Sequence, residues 1–141
     1  MYAPKINYAH NMFAVKSLSG GATLWLPNPE TVSGKGTIAT MVNSGRNASA
    51  VVTAQKIGRD QDKTELKWNF MNKDEWESIL KFFDQNFFFE FTYYSPVYST
   101  KISRKFYVGD RTYLPYDIDG NGNPIAYKDC ALNVIDTGEG N

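Results

Sequence analysis

The chain has 141 residues, enough for one domain with its own core and no need of disulfide or metal staples. Fifteen Lys and Arg balance fifteen Asp and Glu, so no net field draws the molecule to nucleic acid or to an anionic membrane surface. Cys130 is the only cysteine, which excludes an internal disulfide and a thiolate zinc site.

In chain order, Met1–Ser19 mixes apolar, aromatic and polar residues without a clean period, and Gly20-Gly21 follows as a hinge. The reading is an N-terminal arm over residues 1–21 and a single β-rich domain over 22–136. The start shows no charged leader before an apolar run, and no stretch approaches the ~20 apolar residues of a membrane span. Ala22–Leu26 is a short strand stopped by Pro27 and Pro29. Lys35–Val42 and Ala50–Ile57 are strands, with Asn43–Asn47 as the turn between them. After a turn at Asp60–Lys63, Leu66, Trp68 and Phe70 alternate with Glu65, Lys67 and Asn69, the signature of a half-buried strand.

Asn72 offers an N-cap and Glu75 can reach back to complete a capping box. Trp76, Ile79, Leu80 and Phe83 then give Lys73–Asp84 an apolar helical face that must dock on a sheet. Phe87–Tyr94 is aromatic enough for a strand covered on much of both faces. Lys101–Val108 reads as a lysine-protected edge strand, because Lys101 and Lys105 share one face. Pro124 closes a long turn before the strand Ile125–Ile135, where Cys130, Leu132 and Val134 share a face, so the thiol is expected to be buried. Residues 137–141 are a polar, glycine-containing tail, expected to be flexible. The fold class is α+β, mainly antiparallel β: a sandwich or curled barrel of six or seven strands with one helix packed on it.

Little here carries chemistry. Asp117, Asp119, Asn121 and Gly122 match positions 1, 3, 5 and 6 of a calcium loop, but position 12 is Lys128 and no helix flanks it. Asp119-Gly120 and Asn121-Gly122 are also what a tight hairpin turn requires, and the turn is the better reading of Asp117–Asn123. The one histidine, His10, has Glu30 as its nearest acid in sequence, so no local nucleophile, base and orienting group can be assembled. Asp74 with Glu77 and Asp60 with Asp62 have simpler roles at a helix N-terminus and in a turn. Ser33–Thr37 lacks phosphate-loop spacing. No catalytic, cofactor-binding or metal-binding residue is therefore expected, and no enzymatic activity.

Nine Phe, nine Tyr and three Trp exceed what one small core needs, and the excess reads as contact surface between subunits. Tyr107, Arg111, Tyr113 and Tyr116 are the candidate interface residues. Gly109-Asp110-Arg111 is either a local glycine turn or the place where Arg111 bridges to a neighbour, with the local turn favoured. The competing function is a carbohydrate-binding β-sandwich module, in which Trp25, Tyr113 and Tyr116 on loops would stack on sugars.

The order Leu-x-Trp-x-Phe-Met (66–71), a short helix, Phe-x-Phe-Thr-Tyr (89–93) and Lys105-Phe106-Tyr107-Val108-Gly109-Asp110-Arg111 resembles small, largely uncharacterised tail-module proteins of long-tailed phages and prophages of Gram-positive bacteria. Leu26-Pro27-Asn28-Pro29, Tyr127-Lys128-Asp129 and Leu132-Asn133-Val134-Ile135 extend the resemblance to residues 24–136. It implies a tail-tube-like or distal-tail-like fold and a structural role at or near the baseplate or tail tip. The implied partners are copies of itself in a ring around the tail channel, a hexamer by analogy, and other tail proteins. It further implies location in the virion tail after assembly in the host cytoplasm, with no cofactor, specific nucleic acid or membrane involved.

Overall fold

A computed structural model describes residues 11–29, 35–46, 52–56 and 58–139, with 42–46 and 52–56 described as backbone. The strands are β1 (Ala14–Ser17), β2 (Leu24–Trp25), β3 (Lys35–Ala39), β4 (Val42–Arg46), β5 (Val52–Lys56), β6 (Gln61–Asn72), β7 (Phe88–Ser95), β8 (Thr100–Ile118) and β9 (Pro124–Asp136). One helix, α1 (Lys73–Gln85), sits between β6 and β7. Seven strands form one antiparallel sheet in the order β2-β1-β7-β8-β9-β6-β3, and β4 and β5 pair separately. The α+β, mainly antiparallel class expected from the sequence is what the chain adopts.

The sheet curls on itself. In sheet order β7 and β6 are separated by β8 and β9, yet the Tyr93 hydroxyl on β7 donates to the Asp62 carboxylate on β6. Trp68 Nε1 on β6 donates across to the Pro27 carbonyl just after β2, at 3.0 Å. Both links bridge the interior, which a flat sheet would not allow. Inside lie Trp68, Phe89, Phe91 and Phe106, all at 2 % exposure or less. Phe91 and Phe106 have ring centroids 4.9 Å apart, and Phe13 stacks on Phe91 at 5.7 Å.

Helix α1 packs on this interior through Trp76, Ile79 and Phe83. Burying each contributes about 1.5–3 kcal/mol. The Asn72 side chain caps the helix, accepting from the Glu75 amide at 2.9 Å. The reciprocal half of the expected capping box is not made. The Glu75 carboxylate turns inward instead, 2 % exposed, with neither oxygen hydrogen-bonded.

Four sequence expectations are corrected. The arm read over residues 1–21 is drawn into the sheet from Asn11 onward: β1 pairs with β7 and β2, and Phe13, Ala14 and Val15 are core residues. Residues 1–10 lie outside those described. The turn placed at 43–47 is largely strand β4, paired with β5 from Val42↔Lys56 to Arg46↔Val52. The strand ending at Val108 continues to Ile118; among the described strands its Thr100–Lys105 stretch pairs with β7 alone, as an edge would, and β9 joins from Phe106. Finally, residues 137–139 of the tail are tied down: the Thr137 amide donates to the Lys105 carbonyl at 3.1 Å, and Glu139 pairs with Lys105 at 2.9 Å.

Candidate subunit-contact surface

Strand β8 changes character at Gly109. On its first half it pairs with β7 from Thr100 to Tyr107, and β9 joins on the other side from Phe106, so the stretch Phe106–Val108 lies between two neighbours. The last bond from the β7 side is Val108 N–H to the Phe87 carbonyl, at 3.3 Å. Beyond it, among the described residues, β8 pairs with β9 alone, so Asp110–Ile118 is an edge strand. Pro115 lies in this half, where a missing N–H costs no ladder bond on the open side. Asp110–Ile118 is exposed without interruption, including Tyr113 (48 %), Leu114 (49 %), Tyr116 (46 %) and Ile118 (60 %).

A bulge marks the boundary. The register runs Val108↔Val134 and then Arg111↔Leu132, so Gly109 and Asp110 together oppose Asn133. A Cβ at Gly109 would lie 2.1 Å from Asn133 Oδ1, which only glycine avoids. Arg111 Nη1 donates to the Gly109 carbonyl at 2.9 Å, closing the bulge from within the chain. The most distinctive string of the sequence, Phe106–Arg111, thus encodes the step from interior strand to open edge. A second irregularity follows between Thr112 and Leu114, opposite Asp129, which has a left-handed φ of 51°. Across it the inward face shifts by one residue: Trp68 and Cys130 are buried before it, Met71 and Tyr127 after it. Phe70, expected inward, is therefore half-buried, edge-on to Tyr116 at 5.6 Å.

Of the four residues singled out by sequence, the structure gathers Arg111, Tyr113 and Tyr116 on this open edge. Tyr113 leans on Trp76 and Tyr127, at 6.4 and 5.5 Å, and Tyr116 lies under Lys128 Nζ at 5.5 Å. Each aromatic is braced on one side and exposed on the other. Tyr107 sits apart, half-buried where β7 begins, in a cluster with Phe87 and Phe88. Sequence reasoning placed Leu114 and Ile118 in a long turn, Leu114–Pro124, reaching a neighbour; they lie instead in strand β8, exposed, and Ile125, exposed on the same hairpin, was missed. Trp25 and the two tyrosines assigned to sugar-stacking loops lie instead in strands, Trp25 on β2 at 5.0 Å from Lys101 Nζ.

The hairpin tip is a self-contained turn. Asp119 Oδ1 accepts from the amides of Asn121 (2.8 Å) and Asn123 (3.0 Å), and these bonds hold its carboxyl below the ordinary value. That oxygen is engaged with backbone donors, as an Asx turn requires. Among the described residues no group of three or more His, Cys, Asp or Glu is placed to hold a metal. No helix there is long and apolar enough to cross a membrane.

At the other end of the sheet a buried charge cluster went unseen in the sequence. Arg59 grips Asp136 with two nitrogens, the Nη2–Oδ1 bond being 2.7 Å, and Arg104 reaches Asp62 at 3.3 Å and Asp136 at 3.7 Å. Burial pushes the Asp136 carboxyl up, but the Arg59 hydrogen bond and the amides of Gly138 and Asp62 outweigh it and hold the group ionised below its ordinary value. The Tyr93 hydroxyl is raised by burial and by its bond to Asp62. Every charge here has a partner, so the cluster is a clamp joining β7, β8, β9 and the start of β6. Cys130 is fully buried, as expected, and burial pushes its thiol up to about 12.

No protein-family description matches the chain, and no curated protein matches it. A solved structure does: a chain of the tail of an empty GTA particle, computed with helical refinement in C6 symmetry. The two share 12 % of residues at a TM-score of 0.55, over 91 % of this chain and 92 % of the other. At that identity the likeness is one of fold, and it spans nearly the whole of both chains.

Proposed function

We propose that this protein is a structural component of a bacteriophage or phage-derived tail, without enzymatic activity, that assembles as a ring around the tail channel. The observation that carries the reading is the end-to-end fold likeness to a chain of a C6-symmetric tail. The resemblance of residues 24–136 to tail-module proteins of Gram-positive phages points the same way and favours a place at or near the baseplate or tail tip. In this reading the open edge of β8, with Arg111, Tyr113 and Tyr116, meets a neighbouring subunit, and Tyr107 with Phe87 and Phe88 supplies a second contact. Exposed aromatic area gains most when a partner covers it, and a closed ring leaves no such edge uncovered. Copies of itself, six by analogy, and the flanking tail proteins are the partners, joined in the host cytoplasm and carried in the virion.

Negative-stain electron microscopy of the purified chain over a concentration series tests this. Rings or short stacked tubes with a central channel are expected at high concentration. A strict monomer throughout, also in the presence of the neighbouring tail proteins, would contradict it.

A further inference from the structure

The curled sheet leaves a seam between β3 and the paired strands β1 and β7. A groove of about 290 Å³ follows it, lined in part by Met12, Phe13, Thr37, Ile38, Tyr94 and Pro96. Among the described residues β3 pairs only with β6, so its outward N–H and C=O groups have no ladder partner. Such edges are commonly guarded by charge, proline or a bulge. Apart from Lys35 at its start β3 has none of these, and Ile38 is 48 % exposed. An open edge charged only at its start, beside a largely apolar groove, suits strand addition, with main-chain bonds for affinity and alternate side chains in the groove for specificity.

We infer that the groove receives residues 1–10 of a second copy of this chain, added as a strand along β3. The inference deepens the ring reading by naming a contact, though it requires only self-association. Within that segment Tyr2, Pro4, Ile6 and Tyr8 fall on alternate positions, and if the odd positions bond to β3 the missing N–H of Pro4 costs no ladder bond. Ten residues in extended form reach about 33 Å, and they join the described chain at Asn11, beside Met12 at the mouth of the groove. The same chain's own segment is the poorer occupant. From β1 through β7, β8, β9 and β6 to β3 every pairing is antiparallel, so β1 and β3 run in opposite directions. The described chain therefore enters β1 at the Ala39 end of β3, and a reversal before Asn11 is needed for a strand of the same chain to run alongside β3. Asn11 is held in line instead: Nδ2 donates to the Leu26 carbonyl at 2.8 Å, and its own carbonyl accepts from Lys101 Nζ at 2.8 Å. The Met12 amide is fixed on Asn28 Oδ1 at 3.0 Å.

Disulfide trapping between full-length variants, each with one added cysteine, tests the contact. Ile6→Cys is mixed with Ile38→Cys, and Tyr8→Cys with Thr37→Cys to allow for register; Ile6→Cys with Glu90→Cys, on the outer face of β7, is the control. Cys130 is buried with a raised pKa and stays out of the exchange. At least ten-fold more covalent dimer than in the control is expected in one of the two mixtures. No excess in either would overturn the inference. So would efficient closure of an Ile6→Cys/Ile38→Cys double variant on itself as a monomer in dilute solution. Trapped dimers without rings in the micrographs would support this contact and remove the ring reading, whereas rings without trapping would overturn this contact alone.

Discussion

The two halves of β8 carry much the same kind of sequence and meet opposite fates. From Thr100 to Val108 the strand is held by β7, with β9 joining on the other side from Phe106, and Phe106 and Val108 are buried. From Asp110 to Ile118 it has one neighbour, and Tyr113, Leu114, Tyr116 and Ile118 are all about half exposed or more. Composition does not explain the difference; the end of β7 and the bulge at Gly109 do. An apolar residue on the first half stabilises the monomer, and one on the second half has its remaining area to give to a partner.

Mutations can break or sharpen that contrast. The largest effect is expected at Phe106→Ala, which leaves a cavity against Phe91 and Tyr93 and should cost about 3–5 kcal/mol in denaturant unfolding. Next is the boundary itself. Gly109→Ala should cost about 1–3 kcal/mol through overpacking against Asn133, and Asn133→Ala in the same chain should recover much of it. A strictly additive double-mutant cycle would show that the two do not meet.

Beneath the helix, Glu75 gives a pH-dependent test. Burial without a partner raises its carboxyl from 4.5 to about 7, so the folded state holds a proton that the unfolded chain releases. Its contribution is therefore most favourable below pH 4.5, declines as pH rises to about 7, and is a constant penalty above that. Glu75→Gln should raise thermal stability at pH 8, by about 1–3 kcal/mol, and change little at pH 4. The reverse pattern would mean that the carboxylate is ionised and paired. The smallest effect on the monomer is expected on the open half of β8. Tyr113→Ser with Tyr116→Ser should shift unfolding by only about 1 kcal/mol while weakening self-association ten-fold or more in sedimentation. Equal losses in both measurements would erase the contrast.

The parts legible in the sequence were those written by local periodicity. The alternation around Leu66 and Trp68, the helical spacing from Trp76 to Phe83 and the shared face of Cys130, Leu132 and Val134 all identified elements that form. Features that depend on distant partners were not legible. Strand β1 is only four residues long and is fixed by β7, far along the chain, so it left no period to read. Asp136 finds Arg59 across 77 positions, and no local pattern announces such a pair. The candidate contact residues fell between these cases. Tyr113 and Tyr116 were visible as surplus aromatics, but that they share an edge with Leu114 and Ile118 follows from where β7 stops.

Amide hydrogen exchange on dilute and concentrated protein tests the central claim most directly. The account predicts that residues 110–118 exchange rapidly in the dilute monomer and become protected as the protein assembles, while Phe106–Val108, between two neighbours, are slow in both. Assembly that leaves 110–118 unprotected and slows exchange elsewhere would contradict it.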